Sequence, residues 1–223
     1  YKGNLGVKAG AFDFGDYDSD GLIDFALTGA NFQNVPTTYL IKNFGYTIDA
    51  VDVIMDGVYF SRPSWGDYDN DGDLDLFIAN GHTYPEADMP RANSSYKQLN
   101  SLFENKQDHF FSGGNKAGPG LEVREVSRGA AFGDYDNDGD LDLYWKCADY
   151  EIDNALFRNN GDGTFSDITA GSGVESAPWG IENNSADVDN DGYIDIFTNG
   201  DILLNNGDFT FSLYTAGVPG PGA

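Results

Sequence analysis

The chain has 223 residues, 40% of them apolar and 14% aromatic, enough to bury a core and to predict a globular rather than a disordered protein. Its 37 acidic residues against 12 basic ones leave a formal charge of −25, which excludes nucleic acid and anionic membrane surfaces as partners because their phosphates would repel it. No apolar run approaches the roughly 18 residues that a membrane-spanning helix needs, and the single cysteine, Cys147, rules out an internal disulfide.

In chain order the first predicted strand is AGAFDFGD, followed by an acidic turn over residues 16–24, a second strand LIDFALTG and a third, TTYLIKN, that ends at an asparagine. The same order returns as RPSWGD, DLDLFIAN and NSLFEN, then as RGAAFGD, DLDLYWKC and NALFRN, and finally as NNSAD, YIDIFTNG and DILLNN. A Gly-containing turn leads into a fourth strand, as in GDGTFSDIT and GDFTFSLYT. The acidic turns start at Asp16, Asp67, Asp134 and Asp187, separated by 51, 67 and 53 residues. Four short antiparallel strands per repeat at this period predict an all-β chain of four β-propeller blades, over residues 8–54, 58–112, 126–170 and 179–216 of one domain or segment. The four form a closed ring or part of a larger propeller. The start at Tyr1 rather than Met reads as a processed or excised piece, so the lack of a leader peptide fixes no location.

Sixteen of the 37 acids sit in the four turns, at positions 1, 3, 5 and 9 of the pattern D-x-D-x-D-G-x-x-D. A hard divalent ion takes six to eight oxygens at about 2.3–2.6 Å, and alternating aspartates can aim their carboxylates at one point while glycine at position 6 allows the bend. The expected ligand sets are Asp16, Asp18, Asp20 and Asp24; Asp67, Asp69, Asp71 and Asp75; Asp134, Asp136, Asp138 and Asp142; and Asp187, Asp189, Asp191 and Asp195. The main-chain carbonyls of Leu22, Asp73, Asp140 and Tyr193 complete them. Position 12 holds Leu27, Ile78, Trp145 or Thr198 rather than glutamate, which excludes a helix-loop-helix EF-hand. About four Ca²⁺ ions are therefore predicted, reducing the charge from −25 to −17, and Mg²⁺ fits less well because it demands strict octahedral geometry. Calcium support of this kind vanishes at submicromolar cytosolic levels, so the expected location is extracellular, whether secreted, cell-surface or periplasmic.

The segments WGDYDNDGDLDLFIAN and RGAAFGDYDNDGDLDLYW resemble FG-GAP/VCBS repeats, the calcium-loop blades also found in integrin alpha heads. ANGHTYPEAD with SYKQLNSLFEN, and NALFRNNGDGTFSDITAGSGV, are similar to the secreted ASPIC/UnbV, or cartilage acidic protein, group. The resemblance implies propeller blades and calcium loops. It departs in blade number, since the family's propellers usually have more than four, and in having no UnbV-like region after residue 218. Three roles follow as expectations. The first is a scaffold that binds a glycan or protein ligand, with His82, Tyr84, Arg91 and Tyr96 of the 81–98 insertion as contact residues or as a loop packed on its own blade. The second is a structural subunit that self-associates through blade edges. The third, a polysaccharide-acting enzyme, is disfavoured: the chain has two histidines, His82 and His109, and no catalytic set built around them is recognisable.

Overall fold

The structure is a computed structural model that describes residues 6–51, 55, 58, 60–82, 95–106, 109–112, 117–118, 121–148, 154–178, 180–181 and 183–215. Sheet one contains β1 (Lys8–Gly15), β2 (Asp24–Ala30), β3 (Pro36–Asn43) and β4 (Ile48–Val51). Sheet two takes β5 (Arg62–Gly66) and β6 (Asp75–Ala79). The chain then leaves it for β7 (Gln98–Leu99) and returns as β8 (Ser101–Lys106) and β9 (His109–Ser112). β10 (Arg124–Glu125) pairs with β7 in a two-stranded ribbon. Sheet three contains β11 (Ser127–Gly133), β12 (Asp142–Cys147), β13 (Ala155–Asn159) and β14 (Phe165–Asp167). After a short 3-10 turn at Val174–Ser176, sheet four contains β15 (Asn183–Ala186), β16 (Asp195–Thr198), β17 (Asp201–Asn205) and β18 (Phe211–Thr215). The chain is all-β, and each four-stranded sheet is an antiparallel meander in sequence order.

Successive side chains of a strand point to opposite faces, and here each face of a sheet has its own neighbour. On β2, β6 and β12 the second residue after the strand's leading aspartate (Ala26, Phe77, Tyr144) faces the following sheet and is fully buried. The residue between, Leu76 or Leu143, faces the preceding sheet and is buried too. Three apolar cores result, one at each junction. Tyr17, Leu40, Trp65, Leu76 and Phe103 fill the first; Tyr68, Phe77, Leu143, Trp145 and Phe157 the second; Tyr135, Tyr144, Ile196, Leu203 and Phe211 the third. Trp145 stacks on Phe77 at 6.1 Å and Trp65 on Tyr17 at 6.2 Å, so the aromatic content of the sequence is spent largely between sheets.

The first strands stand side by side in chain order, β1 against β5, β5 against β11 and β11 against β15. Among the described residues β15 and β1 do not pack on each other as those pairs do, so a closed four-membered ring is not seen. Cys147 is buried in β12, as its apolar surroundings predict. Two features were not foreseen: the β7–β10 ribbon, whose strands are too short to leave a pattern, and Arg128, buried with its guanidinium donating to the carbonyls of Phe60 (2.8 Å) and Gly81 (2.6 Å). Residues 83–94 of the insertion, with Tyr84 and Arg91, lie outside the described residues. His82 and Tyr96 at its ends are joined by a 2.9 Å main-chain bond.

Candidate metal loops and central cleft

The four acidic turns share one backbone path. Position 6 is glycine at φ between +85° and +98° in Gly21, Gly72, Gly139 and Gly192, and position 4 is also left-handed, at Ser19, Asn70, Asn137 and Asn190. That path turns two main-chain N–H groups back onto the first aspartate. Asp16 accepts from Asp20 and Gly21, Asp67 from Asp71 and Gly72, Asp134 from Asp138 and Gly139, and Asp187 from Asp191 and Gly192, all at 2.9–3.1 Å. The position-5 aspartates Asp20, Asp71, Asp138 and Asp191 accept from the N–H of position 7, which orients the peptides of Leu22, Asp73, Asp140 and Tyr193.

Position 9 staples the turn to the sheet. Asp75 accepts from the N–H groups of Asn105 (2.8 Å) and Tyr68 (3.0 Å), Asp142 from Asn159 and Tyr135, and Asp195 from Asn205 and Val188; Asp24 accepts from Asn43. These four aspartates are wholly buried, and burial pushes the carboxyls of Asp75 and Asp142 up to about 7 against those N–H bonds.

Carboxylate oxygens of Asp16, Asp18 and Asp24 lie within 4.8 Å of one another, as do those of Asp67, Asp69 and Asp71, of Asp134, Asp136 and Asp142, and of Asp187, Asp189 and Asp195. The structure thus brings together three of the four expected side chains in each turn. Two oxygens bound to one ion at about 2.4 Å can be at most about 4.8 Å apart, so the spacing fits a shared hard cation. Asp18 Oδ1, Asp24 Oδ2 and Asp69 Oδ1 are buried without a hydrogen-bond partner among the described residues. Asp140, expected to contribute its main-chain oxygen, directs its side chain elsewhere: its Oδ1 accepts from Asn70 Nδ2 of the preceding turn.

Sequence reasoning missed the side chains that reach into the turns from the third strand. Lys42 pairs with Asp18 and, at 3.3 Å, with Asp20. Arg158 reaches Asp136 and Asp138, both at 3.2 Å, and its charge helps a bond from the Asp140 N–H hold the Asp138 carboxyl below its usual range. Glu104 lies in hydrogen-bonding contact with Asp69, whose carboxyl is raised by burial first and by its acidic neighbours next. The signal was present in the sequence, since each of these residues directly precedes the asparagine that ends its strand.

A second feature is a cleft of about 240 Å³ between the first strands of all four sheets. Phe12 and Asp13 of β1, Arg62, Ser64 and Trp65 of β5, and Asn183 to Ser185 of β15 line it, together with residues 130–132 of β11. Asp13 Oδ2 accepts from the Trp65 N–H at 3.0 Å, and burial raises its carboxyl. Arg62 crosses the cleft to donate to the Ile181 carbonyl at 3.3 Å.

The model of the FG-GAP-like repeat matches residues 67–145 and 147–198, which include three of the four acidic turns, most of sheets two and three and the first two strands of sheet four. The chain belongs to the FG-GAP-like repeat family. The comparison with curated proteins finds no match. Among solved structures the repeats share their fold with a lectin of Agrocybe aegerita whose structure describes specific recognition of non-reducing terminal N-acetylglucosamine. The TM-score is 0.53 at 20% identity, over 91% of this chain and 51% of that one. The chain therefore spans about half the length of that lectin chain.

Proposed function

We propose that the chain is an extracellular, calcium-stiffened set of four β-propeller blades that binds a glycan or protein ligand and is not an enzyme. The observation that carries it is the fourfold recurrence of one carboxylate turn at the same end of adjoining sheets. Turns two and three are joined by Asn70 and Asp140, and turns three and four by Asn137 donating to the Gly192 carbonyl at 3.2 Å. Ca²⁺ bound by the aspartates of each turn would supply the positive charge that these carboxylates lack and would tie two strands of one sheet together. At an affinity near 10⁻⁴ M and calcium near 10⁻³ M, mass action contributes roughly 1.4 kcal/mol per site, or about 5 to 6 for four sites. Such support exists outside the cytosol, which is the ground for the extracellular assignment; no helix of the described residues is long and apolar enough to cross a membrane. The narrower likeness to the ASPIC/UnbV group belongs to the same reading.

The central cleft is the ligand site we favour. Its lining is almost wholly polar and gathers the hydrogen-bonding groups of Asp13, Arg62, Ser64 and Asn184, a set suited to the hydroxyls of a sugar. The glycan recognised by the Agrocybe aegerita lectin supports that class of ligand for a protein of similar fold. Of the two histidines, His82 packs edge-to-face on Phe60 at 5.8 Å, a structural contact.

Metal analysis with paired thermal melts tests the calcium reading. We expect about four calcium ions per chain and a melting temperature at least 10 °C lower in EDTA, from the lost 5 to 6 kcal/mol at roughly 2–4 °C per kcal/mol for a chain of this size. Identical melts would reject it. A glycan array with the wild type and Arg62→Ala tests the ligand: signal on particular glycans that the variant loses supports the cleft.

A second reading, a structural subunit, is favoured by the two end sheets. Phe12, Phe14 and Ile23 of sheet one and Val188, Phe197 and Tyr214 of sheet four are exposed, although their counterparts inside the array are covered. In this reading the end faces join copies of the chain.

A further inference from the structure

We infer that the residue preceding each strand-ending asparagine grades the four turns, making the second the tightest calcium site, the fourth intermediate, and the first and third weak sites held in check by a tethered cation. The inference rests on the calcium reading above and concerns how the sites differ.

The four positions are Lys42, Glu104, Arg158 and Leu204. Each lies on the third strand of its sheet, two residues from a side chain that faces the following sheet (Leu40, Leu102, Leu156), and strand alternation therefore puts it on that same face. The neighbouring asparagine holds that register by fixing position 9, since Asp24, Asp75, Asp142 and Asp195 each accept its main-chain N–H. What differs is the charge delivered to the turn.

In the second turn Glu104 adds a fifth carboxylate. Its side chain is 6% exposed and touches Asp69, whose Oδ1 is buried without a donor. Two touching carboxylates repel unless a cation lies between them. Lys106 pairs with Glu104 Oε1 at 2.6 Å rather than with an aspartate of the turn, so the position-3 and position-5 carboxylates are not answered as they are by Lys42 and Arg158 in turns one and three. A divalent ion at Asp67, Asp69 and Asp71 has Glu104 beside it as a further carboxylate and meets no cation paired with those aspartates in the described contacts.

In the first and third turns the charge is already partly answered. Lys42 pairs with Asp18 and Asp20, and Arg158 with Asp136 and Asp138, the position-3 and position-5 aspartates in both cases. Arg158 also lies over the Phe209 ring at 5.5 Å, which holds the guanidinium in place. An incoming ion must displace these cations or share carboxylates with them, and either lowers its affinity. Leu204 brings neither charge to the fourth turn.

Calorimetric titration of the metal-free chain with CaCl₂ tests the grading, using the wild type and Glu104→Gln, Lys42→Met and Arg158→Leu. The wild type is expected to bind one ion ahead of the others. Glu104→Gln should weaken that ion roughly ten-fold for the lost charged ligand, and Lys42→Met and Arg158→Leu should each tighten one late site several-fold. Both cations are partly exposed, so these two variants are expected to fold whatever happens to Glu104→Gln. Four equal affinities, or late sites unmoved by either cation variant, would overturn the grading and leave calcium binding standing. No calcium uptake by the wild type would overturn both.

Discussion

The asparagine that ends the third strand of each sheet does more than close a turn. Asn105 donates Nδ2 to the Tyr17 carbonyl (2.8 Å), Asn159 to that of Tyr68 (2.7 Å) and Asn205 to that of Tyr135 (2.8 Å), so each reaches into the acidic turn of the preceding sheet. Each also bonds a carbonyl of its own sheet, Leu74, Leu141 or Ile194. Asn43 keeps that local bond, to Ile23. Truncating Asn159 leaves two buried carbonyls without donors, and Asn159→Ala should lose about 2–3 kcal/mol in a denaturant melt. Asn43→Ala, at the half-exposed end, should lose less than about 1 kcal/mol by the same measurement.

Lys146 makes the second prediction at this scale. It is wholly buried in β12, bonds to the Thr198 hydroxyl, and burial lowers its ammonium to about 8, with the Asp201 carboxylate opposing the shift. Between pH 8 and 10.5 the unfolded chain keeps a proton that the folded chain has released. Stability should therefore rise with pH across that window, and the buried charge is a cost below it. Lys146→Met should raise stability at pH 7 by about 2 kcal/mol and flatten the melting temperature between pH 8 and 10.5.

At the scale of the element, sheet boundaries were legible because every sheet repeats one pattern: a first strand, an Asp-Gly turn, an apolar strand led by aspartate, and a strand ended by asparagine. Alternation also marks which side chains face a neighbour, but not whether a neighbour is there. Phe77 and Phe197 occupy the same position of β6 and β16 and read alike in sequence. Phe77 is wholly buried against Trp145, whereas Phe197 is 45% exposed. Phe77→Ala should destabilise by about 3–5 kcal/mol and Phe197→Ala by about 1 or less, measured by chemical denaturation in calcium. The carboxylate turns were legible for the same reason, since the aspartate spacing with glycine at position 6 marks a turn that brings three carboxylates of each set within 4.8 Å of one another. Lys42, Glu104 and Arg158 share one place in the sequence, before the strand-ending asparagine, but what turns them onto the aspartates is the strand register across a sheet, a relation that links positions 20 to 35 residues apart. The β7–β10 ribbon was hidden because it joins two dipeptides across the second and third repeats.

For the molecule as a whole, the three junctions set a standard against which the two outer faces can be judged. Each inner junction joins an apolar face bearing a buried tyrosine of the acidic turn (Tyr17, Tyr68, Tyr135) to an asparagine from the next sheet. Sheet four offers the first half of such a junction, with Val188 in the tyrosine position and Phe197 and Tyr214 beside it, all exposed. Sheet one offers the second half, with Asn43 and the exposed Phe12 and Phe14. The two halves are complementary, which is the ground for the reading proposed above in which copies of this chain join head to tail, and such a heterologous contact extends unless its rotation closes a ring. The net charge of −25 opposes the approach, and calcium and salt weaken that opposition. The mass measured by light scattering should therefore grow with concentration in calcium at moderate salt and fall towards the monomer in EDTA at low salt. Val188→Asp puts a charge in the middle of the outer face and should keep the chain monomeric in both conditions without changing its melt in calcium. A monomer at every concentration would mean that the outer faces stay solvated in this chain despite their apolar residues.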